Sequence, residues 1–203
     1  MNLSSREEID ACCDALGGDL GEIGLLVNNA GQFTAGQLER QDVDAIYDVV
    51  QSTLLGTIHL TRRVLPGMLE RGQGKVVNNS SIVGYVHFPG VSTYSAAKAG
   101  VSGFTESLRR ELADTPVSTL HVVTGGIETD MLAAAKSDLG DQLPGADGWD
   151  QHTPEEWAHK IVEAILSDDH TLGPGGKSAL AKLASHLPPV VLDTITRRAF
   201  ERR

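Results

Sequence analysis

Gly74-Lys75-Val76-Val77-Asn78, running straight into Asn79-Ser80-Ser81-Ile82-Val83-Gly84, decides the fold of this chain. A short apolar run that turns polar is the pattern of a strand buried in a sheet and delivering side chains at its carboxyl end. Upstream, Gly24-Leu25-Leu26-Val27-Asn28 repeats it, reads as buried on both faces, and opens into Asn28-Asn29-Ala30-Gly31. Downstream, Ser118-Thr119-Leu120-His121-Val122-Val123 is a third such run, leading into Gly125-Gly126-Ile127-Glu128-Thr129. Between the runs lie helices. Residues 42–71 place Val43, Ile46, Val49, Val50, Leu54, Ile58, Leu65 and Leu69 at helical spacing, with Pro66 expected to kink or interrupt the end. Thr93 to Leu112 is a second long helix, ended near Pro116. Strands alternating with helices of this length predict a parallel sheet in an α/β layer fold.

The flanks fit that alternation. Ser4 or Ser5 followed by Glu7 and Glu8 starts a helix running to about Leu16. Thr153-Pro154-Glu155-Glu156 starts another, running to about Leu166, with an N-cap threonine and carboxylates at the positive end of the dipole. A last helical segment spans roughly 178–203, interrupted at Pro188-Pro189. Residues 131–148 are irregular and glycine-rich, which predicts a flap over a site. The whole 203 residues read as one domain.

Composition narrows the function. A net charge of −10 gives no electrostatic support to nucleic-acid binding. The longest apolar runs fall far short of the ~20 residues a membrane span requires. No leader pattern opens the sequence, and Cys12 and Cys13, being adjacent, suit reduced thiols better than a disulfide; a cytoplasmic setting is expected. The seven histidines show no metal-ligand spacing and read as surface or loop residues.

The chemistry concentrates in Ser81 and in Tyr94-Ser95-Ala96-Ala97-Lys98. A tyrosine and a lysine four residues apart share one helix face, where the ammonium can pull a phenol pKa of ~10 toward the working pH. Any isolated pair at that spacing is more simply an exposed tyrosine and a solvated lysine. Here, however, Ser81 and the Asn-Asn-Ala-Gly turn end adjacent strands, where open α/β sheets bind ligands. Such a trio suits moving a proton on or off a carbonyl or alcohol oxygen.

With these motifs the chain resembles the short-chain dehydrogenase/reductase family. The resemblance implies a Rossmann-like doubly wound parallel sheet and an oxidoreductase using NADP or NAD to interconvert a carbonyl and an alcohol. It implies that Tyr94 is the general acid/base, that Lys98 lowers its pKa and holds the nicotinamide ribose, and that Ser81 orients the substrate oxygen. Asn28, Ala30 and Gly31 would line the adenine side of the cofactor cleft, unless they are simple turn punctuation. Gly125, Ile127 and Thr129 would contact the nicotinamide end, unless the loop is an empty turn. A small-molecule substrate is implied, with a homodimer or homotetramer built on the two long helices.

The departures are specific. Thr53 stands where the family places an asparagine that completes a proton relay; it either weakens that relay or bonds its own helix backbone. Thr124 replaces a usual proline, which predicts a less restrained loop. Asn2 stands where an aspartate usually meets adenine, and no G-x-x-x-G-x-G pattern precedes Asn28. The expectation is therefore a shortened member lacking its first βα units, with Leu25-Leu26-Val27 left as an uncovered apolar edge. The rival reading is a catalytically inactive remnant serving as a binding or dimerisation module. A weaker third reading is a lipid-handling reductase whose carboxyl tail sits on a membrane.

Overall fold

The computed structural model describes residues 1–127 and 151–185. In chain order its elements are α1 (Arg6–Leu16), β1 (Leu25–Asn28), α2 (Val43–Val50), α3 (Gly56–Arg71), β2 (Gly74–Ser81), α4 (Ser92–Glu111), β3 (Val117–Thr124), β4 (Gly126–Ile127), β5 (Gln151–His152), α5 (Pro154–Leu166), β6 (Thr171–Leu172) and α6 (Gly176–Ala184). Four strands make one parallel sheet in the order β1-β2-β3-β6. A separate two-residue parallel ladder joins β4 to β5, Gly126 opposite Gln151 and Ile127 opposite His152. This is the expected α/β architecture.

Two apolar layers sandwich the sheet. Strand residues alternate between faces, so Leu26, Val76 and Val117 look one way and pack with Val64 and Met68 of α3 and Leu108 of α4. On the other face Val77, Leu120 and Val122 pack with Trp157 and Ala164 of α5. β1 lies at the sheet edge, and α5 does not cover it. Leu25 and Val27 therefore stay 45% and 46% exposed while Leu26 is buried. The strand is buried on one face only, not on both as its composition suggested, and the uncovered edge foreseen for it is present.

Two predicted helix features resolve differently. Pro66 does not end α3, which runs through it to Arg71. Val64 and Met68, on either side of it, are fully buried and hold that stretch to the core despite the one missing N–H. Gln51–Leu55 joins α2 to α3 as a π-helical turn, the Gly56 N–H reaching back to the Gln51 carbonyl. Such turns are frequent at functional sites.

Helix starts follow the sequence closely. The Ser5 hydroxyl accepts the Glu8 N–H at 3.2 Å. At α5 the Thr153 hydroxyl accepts the Glu156 N–H at 3.2 Å, while the Glu156 carboxylate accepts the Thr153 N–H at 3.1 Å. This reciprocal cap satisfies two otherwise orphaned donors.

Candidate active site

β2 carries Ser81 to its carboxyl end, and a short 3₁₀ turn, Ile82–Gly84, follows. The Ser81 hydroxyl accepts the Val83 N–H at 3.4 Å and keeps its own proton for another acceptor. Tyr94 and Lys98 occupy the first turns of α4. The Lys98 Nζ stands 5.8 Å from the centre of the Tyr94 ring and donates to the Asn79 carbonyl oxygen at 2.8 Å. Asn79 is two residues from Ser81 on β2, so one helix face and one strand end bring the predicted trio into a single region. Phe33 closes the other side of Tyr94, its ring edge-on with centroids 4.9 Å apart.

The electrostatics differ from the simple expectation. Burial pushes the Tyr94 hydroxyl above the ordinary tyrosine value instead of letting Lys98 draw it down. Lys98 itself is pushed down to about 8 by burial. Both charged forms lose their hydration here, and that loss outweighs the attraction between them. Near neutral pH the phenol holds its proton.

A chain of buried amides and hydroxyls ties the strands beneath this region. The Asn28 side-chain amide donates to the Asn78 side-chain oxygen at 2.8 Å and to the Thr61 hydroxyl at 3.0 Å. The Asn78 amide donates in turn to the Thr105 hydroxyl of α4 at 3.0 Å. Asn28 is thus a structural bridge, whereas Asn29 and Ala30 next to it are exposed at the carboxyl end of β1. The Asn79 amide donates to the Asn29 side-chain oxygen at 2.7 Å.

Thr53 lies in the π turn, 1% exposed. Its hydroxyl accepts the Gln32 N–H at 3.2 Å, so it fastens the Asn-Asn-Ala-Gly turn to the helix and does not bond its own backbone. Gly31 is required for that approach, since a Cβ there would stand 2.9 Å from the Thr53 hydroxyl. Thr124 also behaves otherwise than expected. It extends β3, and its hydroxyl donates to the Ser80 carbonyl at 3.1 Å, restoring the restraint that a proline would have given.

The remaining predicted positions are scattered. Asn2 is exposed, its side-chain oxygen accepting the Ser4 N–H at 3.0 Å before α1; its neighbour Leu3 lies against Gly56. Gly125 packs beside Pro174 and Ser178, and the Ile127 side chain joins the apolar layer under α5. Thr129 and the 131–148 flap lie outside the described residues, as does most of the carboxyl-terminal segment. Among the described residues no helix is long and apolar enough to cross a membrane. His121 corrects the surface reading of the histidines: it sits in the middle of β3, 1% exposed, with Nδ1 3.5 Å from a Glu106 carboxylate oxygen. Its place inside an apolar run was the signal.

A bound dinucleotide would need acceptors and donors at this strand end. Lys98 has three N–H donors and gives one to Asn79. The Asn79 side-chain oxygen is buried with no partner among the described residues. These groups fit a ribose and carboxamide, whereas no glycine-rich phosphate turn occurs in the sequence before Asn28.

Comparison with known proteins decides the family. The family profile described as short chain dehydrogenase matches residues 1–140. The chain belongs to the short-chain dehydrogenase family. Among curated relatives, a 3-oxoacyl-[acyl-carrier-protein] reductase FabG of Vibrio cholerae is 38% identical over 134 residues, covering 66% of this chain and 55% of that protein. A putative oxidoreductase SadH of Mycobacterium tuberculosis is 34% identical over 172 residues, covering 81% and 62%. The chain thus spans little more than half the length of the curated relatives it matches. A short-chain dehydrogenase from Streptomyces avermitilis superposes with a TM-score of 0.78 at 27% identity, covering 99% of this chain and 79% of that one. A Burkholderia cenocepacia family member in complex with NADP gives the same score at 22% identity, which speaks to the Rossmann-like fold.

Proposed function

We propose that this chain carries the proton-handling half of an NAD(P)-dependent oxidoreductase that interconverts a small carbonyl compound and its alcohol. One observation carries the reading: a buried lysine ammonium is held on the Asn79 carbonyl beside the Tyr94 ring, at the strand end bearing Ser81. When bound, the nicotinamide supplies the hydride. The chain's own residues do the rest. The Ser81 hydroxyl donates to the substrate oxygen and orients it. Tyr94 Oη gives its proton to the oxygen as negative charge develops there. Lys98, titrating near 8, steadies the phenolate left behind and hydrogen-bonds the ribose. Burial keeps Tyr94 protonated near neutral pH, the form that can give a proton to a carbonyl oxygen. The cofactor is NADP or NAD.

Thr53 belongs to this reading as the residue that fixes the Gly31 turn against the cleft. Thr129 completes the cofactor contacts proposed with Ala30, Gly125 and the backbone at Ile127. Val43, Tyr47 and Leu55 are more than half exposed along α2 and the π turn, which supports a homodimer or homotetramer through the long helices. A cytoplasmic setting accords with the free thiols of Cys12 and Cys13. The test is NADPH fluorescence with the purified chain, together with turnover of acetoacetyl-CoA by the parent and by Tyr94→Phe. NADPH binding with a loss of at least about a hundredfold in the variant supports the reading; turnover that survives the substitution overturns it.

A further inference from the structure

α4 lies on β2 in two different ways. Toward the carboxyl end of α4, Leu108 and Leu112 pack on Val76 and Val117 through apolar contact, which has no preferred direction. At the end bearing Tyr94 and Lys98, hydroxyls take over. The Ser80 hydroxyl, fully buried, donates to the Lys98 carbonyl at 2.9 Å, and the Ser102 hydroxyl reaches the same carbonyl at 3.1 Å. The two hydroxyl oxygens are 2.7 Å apart. Two protons therefore serve three short contacts around one peptide oxygen. Thr124 holds the Ser80 carbonyl from the neighbouring strand at 3.1 Å.

Gly84 presses on the same peptide from the turn after Ser81. A Cβ at Gly84 would stand 2.9 Å from the Lys98 carbonyl carbon and 3.0 Å from the Ala99 nitrogen. Both atoms are backbone and cannot swing aside. These directional bonds add to the close apolar packing, and to the Asn78–Thr105 bond farther along α4, in fixing the helix along its own axis.

We propose that Ser80 and Ser102 are positioning residues that, with Gly84, lock the Lys98–Ala99 peptide onto the end of β2 and so set where Tyr94 and Lys98 stand relative to Ser81. The proposal rests on the reading of that trio as the reacting groups. Neither serine touches the reacting atoms; both act through the Lys98 backbone. Burial of the Lys98 ammonium against Asn79 follows from the same lock.

The experiment compares the parent with Ser80→Ala, Ser102→Ala, the double variant and Ser102→Thr, which keeps the hydroxyl. Turnover is followed with NADPH and acetoacetyl-CoA, and the Lys98 side chain is titrated by ¹³C NMR. Each alanine variant is expected to lower kcat about tenfold with KM changed less than about twofold. The double variant is expected to be little worse than either single one, because the two hydroxyls act as a unit. Loosening the lock admits water, so the Lys98 midpoint should move from about 8 toward the ordinary lysine value near ~10.4. Ser102→Thr should restore both kcat and midpoint. An unchanged Lys98 midpoint in a folded alanine variant overturns the proposal, as does a Ser102→Thr protein no better than Ser102→Ala. Should Tyr94→Phe retain turnover, the site reading fails and the Lys98 titration alone judges the lock.

Discussion

The side chains of Asn28 and Asn78 meet across the β1–β2 ladder, amide to oxygen, at 2.8 Å. They stand directly opposite each other in the register, and both are buried. Each also reaches a helix threonine, so four buried polar groups satisfy one another in a row. Replacing Asn78 by alanine takes one partner each from Asn28 and Thr105, which keep the Thr61 hydroxyl and the Val101 carbonyl. Asn78→Ala is therefore expected to lower stability by about 1–3 kcal/mol, read from the urea midpoint. Asn28→Ala combined with Asn78→Ala should cost clearly less than the sum of the two single changes.

Lys98 and Tyr94 give the chain a two-sided alkaline profile. The folded Lys98 releases its proton near 8, whereas the unfolded chain holds it to about ~10.4. Between those values the unfolded state binds more protons, so stability rises with pH. Above ~10 the unfolded tyrosine ionises while half-buried Tyr94, its hydroxyl cut off from water, keeps its proton, so stability falls again. Thermal melts from pH 7 to 11 should show the rise and then the fall. Lys98→Met should reduce the rise and Tyr94→Phe the fall; what remains comes from Lys182 on the rising side and from Cys13 and Tyr85 on the falling side, which burial shifts in the same directions.

The open edge of β1 predicts behaviour in concentrated solution. Leu25 and Val27 are nearly half exposed beside unpaired backbone groups, which invites pairing between copies. Val27→Lys is expected to slow aggregation measured by light scattering. Its thermal midpoint should stay close to that of the parent, because a surface substitution changes stability by no more than about 0.5 kcal/mol.

Thr53→Val keeps the shape but removes the acceptor for the Gln32 N–H. A cost of about 1 kcal/mol in stability is expected, with weaker NADPH binding as the Gly31 turn loosens. Unchanged NADPH affinity would show that the turn is held by other contacts.

Much of this architecture could be read from pattern alone. The apolar runs at residues 24–28, 74–78 and 118–123 became β1 to β3, and the Thr153 cap appeared where its side chains require it. Period and capping are local properties and survive in the sequence. What escaped was set by distant partners. Burial on both faces of β1 depends on whether a helix reaches it, which Leu25-Leu26-Val27 alone cannot reveal. The π turn at Thr53 comes close to Gly31 and Leu3, partners far away in sequence. Within the site, Tyr94-x-x-x-Lys98 announced the pair, but not that burial would set the direction of both shifts. Ser80, Asn78 and Ser102 carry no spacing signal, since each gains its meaning from a neighbour across the sheet.

The small ladder between β4 and β5 has an evolutionary corollary. Gly126 pairs with Gln151 and Ile127 with His152, so both ends of the intervening stretch are fastened beside each other. Lengthening or shortening what lies between two anchored points changes closure entropy only slowly, by about 0.6 kcal/mol per doubling. Descendants of such a chain can vary the length of that stretch while β3 before it and α5 after it keep their places.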